Sequence, residues 1–305
     1  REFDISLVFL SAFTIFVAMI VGDAGYGLIF LALAFWGLAK APEAAKLPLK
    51  LTVLLSSAIV IWGTITGTWF GSETIASWGP LNKLVVPQIA SFPEEGINSV
   101  KAVQLLCFII GIVQLSLARL EMFVRTLPRL KAFEHLGWLA LLWGLFFLAL
   151  NIVLGISSWL KVEFTPLIVP LAVAGFALVV LFSNQKGRFF RDMLAGLNPI
   201  NLLLNFLDGV SSFSNIISYI RLFAVGLSSV AVAASFNAMA LSIGFDGPQA
   251  VGAVLMLIIG HALNIILALM SIIVHGIRLN MLEYSGQLGL EWSGYAYEPF
   301  AKRAA

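Results

Sequence analysis

The sequence has few of the residues on which soluble domains depend. Charged residues make up 11% of its 305 positions and hydrophobic residues 60%, with a mean hydropathy of +0.98. These values exclude an ordinary soluble domain over the whole length. The chain holds a single cysteine, Cys107, inside an apolar segment. It therefore has no disulfide framework, and we expect Cys107 to be a buried small hydrophobic residue.

Motifs for several other functions are also absent. The sequence contains no G-x-x-x-x-G-K-[ST] phosphate loop and no Cys/His spacing typical of metal sites. Its net charge of +2 gives no sign of nucleic-acid binding. We therefore expect no cofactor, no metal, no nucleic-acid partner and no catalytic site of its own for ATP.

Long apolar runs are what the sequence has instead. They reach roughly 20 residues or more, which suits helices crossing a hydrocarbon core of about 30 Å, and they lack the alternation of a β-barrel. We predict an all-α polytopic protein of the lipid bilayer with about eight transmembrane helices. Their expected bounds are about 5–21, 25–39, 49–71, 100–123, 135–155, 165–183, 208–242 and 251–283.

A glycine-rich segment separates the first two predicted helices. The chain is apolar from Ile5 to Ala39, and one helix of that length would measure roughly 50 Å and overshoot the bilayer. The run Gly22-Asp23-Ala24-Gly25-Tyr26-Gly27 holds three glycines and an acid, which permit a tight reversal. We predict two short helices joined at this point.

Basic residues sort the loops into two classes. Lys and Arg are concentrated in 40–50, 124–134, 184–207 and the tail 284–305. The intervening loops are poor in them, namely 72–99, 156–164 and 243–250. Because basic loops stay in the cytoplasm, both termini are predicted to be cytoplasmic. The chain begins at Arg1 without Met, and we expect a single transmembrane domain whose N-terminal cytoplasmic domain is absent from this sequence.

Arg221 lies near the middle of the helix predicted at 208–242. A charge there costs at least about 2.5–3.5 kcal/mol by insertion scales. Steps of three and four residues back from Arg221 meet Ser218, Ser214 and Ser211, so the charge lies on a hydroxyl-lined stripe that faces protein or water. Snorkelling from a helix end fits Arg221 poorly, because apolar residues extend far on both sides.

The helix predicted at 251–283 repeats this design. Within about a third of its circumference it carries His261, Asn264, Ser271, His275 and Arg278. Arg278 lies near the end of the apolar run, so snorkelling remains an alternative for it. Two carboxylates also lie near helix ends: Glu283 follows Arg278, and Glu121 is at the cytoplasmic end of the fourth helix.

Five sets of residues form a distinctive combination. They are Gly22 to Gly27; Trp62-Gly63-Thr64 with Gly67-Thr68-Trp69-Phe70-Gly71; Ser218-Tyr219-Ile220-Arg221-Leu222-Phe223-Ala224; Gly260-His261-Ala262-Leu263-Asn264; and Val274-His275-Gly276-Ile277-Arg278-Leu279 followed by Glu283. Together they resemble the membrane domain of the stator subunit of rotary V-type and A-type ATPases, called subunit a in eukaryotes and subunit I in bacteria and archaea. The short loops look bacterial or archaeal, so we expect a multi-pass protein of such a plasma membrane.

The resemblance implies a function. In this family the last two helices are long and tilted, and they lie against a rotating proteolipid ring whose helices each carry a carboxylate. Two offset half-channels lead protons to that contact. Arg221 would favour the ionised ring carboxylate and would bar direct proton leakage, because a guanidinium group does not deprotonate. Arg278 would assist it, and proton flow would be coupled to ATP hydrolysis or synthesis.

The resemblance also implies which residues line the proton paths. The candidates beside the two arginines are His275, Ser218, Ser214, His261, Asn264, Ser271, Asp23, Glu283 and Glu121. Structural alternatives remain open: a hydrogen-bonded packing role for His261, capping of the turn for Asp23, and snorkelling or a local ion pair for Glu121. Eukaryotic members carry a glutamate where this chain has Leu267-Ala268-Leu269, so that role is not transferred.

The expected partners are the ring and, through the absent N-terminal domain, central-stalk connector and peripheral-stalk subunits. A secondary transporter with an anionic substrate and a membrane scaffold without transport are the alternatives. Neither arginine helix has a partner carboxylate in its apolar core, which favours an anion supplied by a ring. Whether the ion is a proton or sodium depends on the ring subunit.

Overall fold

The computed structural model describes residues 4–93, 98–155, 163–185, 191, 193 and 196–290. All regular structure in this part of the chain is helical, which confirms the predicted all-α polytopic class. The eight apolar helices, α1 to α8, are Ser6–Val21, Ala24–Lys40, Glu43–Thr66, Ser99–Thr126, Ala132–Leu154, Thr165–Phe182, Pro199–Ile243 and Gln249–Leu288. The predictions that rest on Arg1 and on residues 291–305 of the tail lie outside the described residues.

Six of these helices, α3 to α8, are long and apolar enough to cross a membrane, whereas α1 and α2 have 16 and 17 residues. The two longest are α7, with 45 residues, and α8, with 40. At 1.5 Å per residue α7 measures about 68 Å, more than twice the thickness of a hydrocarbon core. Helices of this length must tilt strongly or project from the bilayer.

Three helices have bounds that differ from the prediction by five residues or more. Helix α3 begins at Glu43 rather than near 49, and helix α8 ends at Leu288 rather than near 283. Helix α7 begins at Pro199 rather than near 208, because the Asn198 side chain accepts a hydrogen bond from the Ile200 N–H and proline suits the first helical position. Helix α3 ends at Thr66 rather than near 71. Gly67 follows it in the left-handed conformation, with φ +70°, which terminates a helix.

The reversal between α1 and α2 falls where the glycines predict it. Gly22 has φ +66° and follows the last residue of α1, and α2 begins two residues later at Ala24. Helix α3 packs against this turn. A Cβ on Gly63 would lie 2.1 Å from the Ala24 backbone nitrogen, so this close approach requires glycine.

The main apolar core lies between α1, α4, α5 and α7. Its fully buried side chains include Phe16, Phe108, Leu142 and Tyr219. Cys107 is buried in the same cluster, which confirms the role expected for it. Many large apolar side chains on the outer sides of α2, α6 and α8 are exposed, as expected for helices that face lipid or another membrane protein.

The segment between α3 and α4 folds back over the end of α3. It contains the short helices Glu73–Ala76 and Gly79–Asn82 and a 3-10 turn at Pro87–Ile89. The Ser91 N–H donates to the Thr66 carbonyl at 2.8 Å. The hydroxyls of Thr68 and Ser91 are 2.7 Å apart. The described part of this loop is therefore attached to α3.

Candidate functional site

Arg221 lies at the centre of α7, and its charge has little compensation from that helix. The side chain is half-buried. Its Nη2 donates to the Ser218 hydroxyl at 3.4 Å, and Nη1 is buried without a hydrogen-bond partner within the described part of the chain. Ser214, one turn before Ser218, is exposed. The hydroxyl-lined stripe thus lies on the open side of α7, with Arg221 at its edge.

Arg278 lies in a distorted part of α8. Two π-helical segments interrupt the α-helix, at Ile272–Gly276 and Leu279–Tyr284. In a π-helix each N–H bonds to the carbonyl five residues back, so residues five apart come close to the same face. Arg278 and Glu283 have this spacing, and Arg278 Nε is 3.8 Å from Glu283 Oε1.

Glu283 faces both arginines from inside the protein. The residue is 2% exposed, whereas the Arg278 side chain is 51% exposed. Its carboxylate interacts electrostatically with Arg278 and Arg221 and lies within reach of the Ser218 hydroxyl. The expectation that the arginine helices lack an internal carboxylate partner is therefore wrong, because the π-helical turn rotates Glu283 inward. Its Oε2 is buried and has no hydrogen-bond partner among the described residues.

His275 belongs to the same group. It interacts electrostatically with Arg221 and Arg278. Its Nδ1 is buried, and the described residues offer that atom no hydrogen-bond partner. The structure thus brings together five of the predicted residues at the contact between α7 and α8, namely Arg221, Ser218, His275, Arg278 and Glu283. We call these five residues the arginine cluster.

His261 and Asn264 belong to a separate hydrogen-bonded network. The Tyr26 hydroxyl donates to His261 Nδ1 at 2.7 Å and accepts from Asn264 Nδ2 at 3.2 Å. Asn237 Nδ2 donates to the Phe70 carbonyl at 2.8 Å, so its Oδ1 must accept from His261 Nε2, 3.2 Å away. Both ring nitrogens have partners, and this arrangement favours the packing role for His261.

Asp23 caps the turn between α1 and α2. Its carboxylate accepts from four backbone N–H groups, those of Gly25 and Tyr26 in α2 and those of Phe70 and Gly71 after α3, at 2.8 to 3.4 Å. Phe70 and Gly71 both have positive φ, +52° and +62°, so their amides form an anion-binding nest. Burial raises the pKa of the Asp23 carboxyl, and the four backbone hydrogen bonds oppose that rise.

A second buried network lies beside the arginine cluster and was not predicted. The Tyr219 hydroxyl donates to Gln114 Oε1 at 2.9 Å, and Gln114 Nε2 donates to Asn280 Oδ1 at 2.7 Å. Asn280 Nδ2 donates to the Phe9 carbonyl at 3.3 Å. Tyr219 and Asn280 are each two residues from an arginine, so this network fixes α7 and α8 against α4 and α1. Uncharged amides inside apolar helices were the available signal.

Glu121 has a local partner. Its Oε1 is 2.6 Å from Arg125 Nη2, one turn along α4, as the ion-pair alternative predicted. Arg119, on the same helix, donates through Nε to Gln287 Oε1 at 2.7 Å and stacks over the Trp138 ring at 5.0 Å.

The described residues contain no group of three or more His, Cys, Asp or Glu able to hold a metal ion.

Two clefts lie along the C-terminal half of α7. The larger, of about 110 Å³, is bounded by α1, α3, α4, α7 and the loop between α3 and α4, and it reaches Leu222 and Phe223 beside Arg221. Its lining is mainly apolar, with hydroxyls from Thr66, Ser91 and Ser99. The smaller, of about 30 Å³, lies between α7 and α8, and its polar lining residues are Ser228, Ser229, Asn264 and Ser271.

These features define an all-α polytopic membrane protein whose two longest helices carry a partly buried, incompletely neutralised arginine cluster. Comparison with known proteins identifies its relatives. V-type ATP synthase subunit I of Borreliella burgdorferi is 40% identical over 315 residues, covering 99% of this chain and 50% of that protein. V-type ATP synthase subunit I 1 of Treponema pallidum is 33% identical over 306 residues, covering 99% of this chain and 48% of that protein.

The archaeal relatives are named A-type ATP synthase subunit I. A-type ATP synthase subunit I of Methanocaldococcus jannaschii is 25% identical over 327 residues, covering 98% of this chain and 45% of that protein. No protein-family model matches the chain. The chain is a homologue of V-type and A-type ATP synthase subunit I, and it spans about half the length of the curated relatives it matches.

Proposed function

We propose that this chain is the ion-translocating part of the stator of a rotary V/A-type ATPase. Two offset half-channels would lead protons to Arg221, which acts as a gate against the carboxylates of a rotating proteolipid ring. Proton flow is thereby coupled to ATP hydrolysis or synthesis on other subunits. The observation that carries the proposal is the arginine cluster, which holds two guanidinium groups and one carboxylate on the two longest membrane helices.

Within the described residues the charge of this cluster is not balanced, which favours an anion supplied by a neighbouring subunit. With Arg221 and Arg278 positive and Glu283 negative, it carries one uncompensated positive charge, and an unpaired charge is strongly unfavourable in the bilayer interior. A carboxylate on a neighbouring membrane helix would neutralise it. The open side of α7 through Arg221 is lined by small exposed residues, Ser214, Ala224, Ser228, Ala231 and Ser235, which allow close helix packing.

The mechanism follows from the charges. A ring carboxyl must be neutral while it faces lipid, because an ion there is unfavourable. Opposite Arg221 its ionised form is favoured, so the proton leaves into one half-channel. Rotation then brings the carboxylate to the other half-channel, where it is protonated again. Arg221 stays charged throughout and repels a passing cation, so protons do not cross without rotation.

We infer that the larger cleft is part of one half-channel. Its volume of about 110 Å³ has room for several water molecules, at roughly 10–15 Å³ each. It extends from the loop between α3 and α4 to the residues next to Arg221, and Thr66, Ser91 and Ser99 supply hydroxyls along it. Ser271, with Ser228 and Ser229, lines the smaller cleft and would extend the polar surface towards the cluster.

The setting of the protein completes the proposal. We place it in the plasma membrane of a bacterium or archaeon, with both termini in the cytoplasm. The central-stalk connector and peripheral-stalk subunits would contact a cytoplasmic N-terminal region beyond this chain. The support for that region is that the chain spans about half the length of the matched subunit I proteins.

The test is ATP-driven proton uptake by the intact complex in liposomes, with the substitution made in the full-length subunit. Arg221→Gln should abolish proton uptake while the ring still copurifies. Arg129→Gln, an exposed arginine after α4, is the matched control and should pump like the wild type. Pumping by an assembled Arg221→Gln complex at near wild-type rate would overturn the proposal and favour the scaffold alternative.

A further inference from the structure

Glu283 takes no part in the proton-transfer steps proposed above, although its charge enters the balance of the arginine cluster. It is 2% exposed, it contacts Arg278, and its second carboxylate oxygen is buried without a hydrogen-bond partner in the described part of the chain. We propose that Glu283 is the resident counter-ion of Arg221 and Arg278, a positioning residue that sets the net charge and guanidinium positions met by each arriving ring carboxylate. This inference rests on the proposed function.

The geometry assigns this role to Glu283 and to no other described carboxylate near the cluster. Glu283 lies behind the arginines, on the protein side, while the Arg278 side chain is half exposed on the open side. The Ser218 hydroxyl is 3.4 Å from Arg221 Nη2 and also lies within reach of the Glu283 carboxylate. Glu283 can therefore act on both guanidinium groups without blocking the side from which a ring helix approaches.

The net charge of Arg221, Arg278 and Glu283 determines how strongly the cluster attracts a ring carboxylate. Two arginines and Glu283 leave one positive charge, which a single ring carboxylate neutralises completely. Without Glu283 the charge would be +2, and the ionised ring carboxylate would be held too strongly to move on. Without Arg278 the charge would be zero, because Glu283 would neutralise Arg221, and the ring carboxylate would no longer be attracted. Removing both Arg278 and Glu283 restores a charge of +1.

This reasoning predicts that two harmful substitutions compensate each other. In the full-length subunit of the intact complex, Glu283→Gln should lower ATP-driven proton uptake by about tenfold or more, and Arg278→Gln should lower it as well. The double variant R278Q/E283Q should pump at least about threefold faster than E283Q, within the range of coupling measured between contacting charged residues. Glu283→Asp, which keeps the charge, should retain more activity than Glu283→Gln.

An exposed ion pair provides the matched control. Glu43 and Lys46 form an ion pair on the surface of α3, and exposed pairs contribute little. Glu43→Gln, Lys46→Gln and their combination should each pump like the wild type. If E283Q fails to assemble because it leaves Arg278 unpaired, the double variant should recover assembly, measured by copurification of the ring.

Three results would overturn the inference: wild-type pumping by E283Q, a double variant no better than E283Q, or a double variant that also fails to assemble. The first two leave the proposed function intact as long as Arg221→Gln still abolishes pumping in an assembled complex. Pumping by Arg221→Gln would instead refute the proposed function itself. The two failures are therefore distinguishable within one set of variants.

Discussion

Asp23 offers a sharp test of the structure, because capping and channel lining predict different outcomes. In the wild type, Asp23 Oδ1 accepts three of the four backbone hydrogen bonds and Oδ2 accepts the fourth, from the Gly71 N–H at 3.0 Å. Asp23→Asn keeps an oxygen in the Oδ1 position but places an NH2 group opposite the Gly71 N–H, which then has no acceptor. One buried N–H without a partner costs about 1–3 kcal/mol. Asp23→Ala removes the N-cap of α2 and leaves the Phe70 and Gly71 N–H groups without an acceptor. It should lower the free energy of unfolding by about 3–5 kcal/mol.

The assay compares thermal stability with transport in the same preparations. The temperature at which half of the detergent-solubilised complex loses its ring should fall for Asp23→Asn and fall further for Asp23→Ala. Proton uptake per assembled complex should change little. Asp246→Asn, an exposed acid between α7 and α8, is the control and should match the wild type. Unchanged stability with lost pumping would show that Asp23 acts in ion translocation rather than in capping.

Three further predictions follow from the packing around the turn between α1 and α2 and around the larger cleft. Tyr26→Phe removes a hydroxyl that bonds both a histidine and an asparagine, so it should destabilise the complex by about 1–3 kcal/mol in the same thermal assay; a stability equal to wild type would contradict the network. Gly63→Ala places a Cβ against the backbone of α2 and should prevent assembly. The control Gly79→Ala adds a Cβ that meets nothing within 4 Å, so this variant should assemble normally. Equal copurification of the ring with both variants would contradict the packing. Val103→Phe narrows the larger cleft and should lower proton uptake severalfold. Val113→Phe, on the exposed side of the same helix, should leave proton uptake unchanged. Equal uptake rates for the two variants would show that protons do not pass through this cleft.

Much of the helical architecture could be predicted from the sequence. Apolar runs of bilayer length define most of the helices, and the glycines around Asp23 predict the reversal between α1 and α2. The start of α7 could not be found by hydropathy. The apolar content of residues 199–207 fits a connector lying at the membrane interface as well as the first turns of a transmembrane helix. Only the cap at Asn198 and Pro199 decides between them, and a capping signal is weak beside a long apolar run.

The site was harder to predict than the helices. Arg221 and Arg278 stand out because charge within apolar helices is rare, and the structure places them in one cluster. Helical spacing also put His261 on the face of Arg278, yet contacts with Tyr26 and Asn237 from other helices give that ring a different environment. Long-range hydrogen bonds of this kind leave no periodic signal within a single helix.

The two π-helical segments of α8 have a consequence for comparing this chain with its relatives. Each such turn fits more residues into the same rotation than an α-helix does, so the face on which Glu283 lies depends on how many residues separate it from Arg278. Deleting one residue between them would keep both side chains and still separate them. Alignments of subunit I sequences should therefore tolerate substitutions between these two positions more readily than gaps, and a one-residue gap would mark a relative that balances its arginines differently.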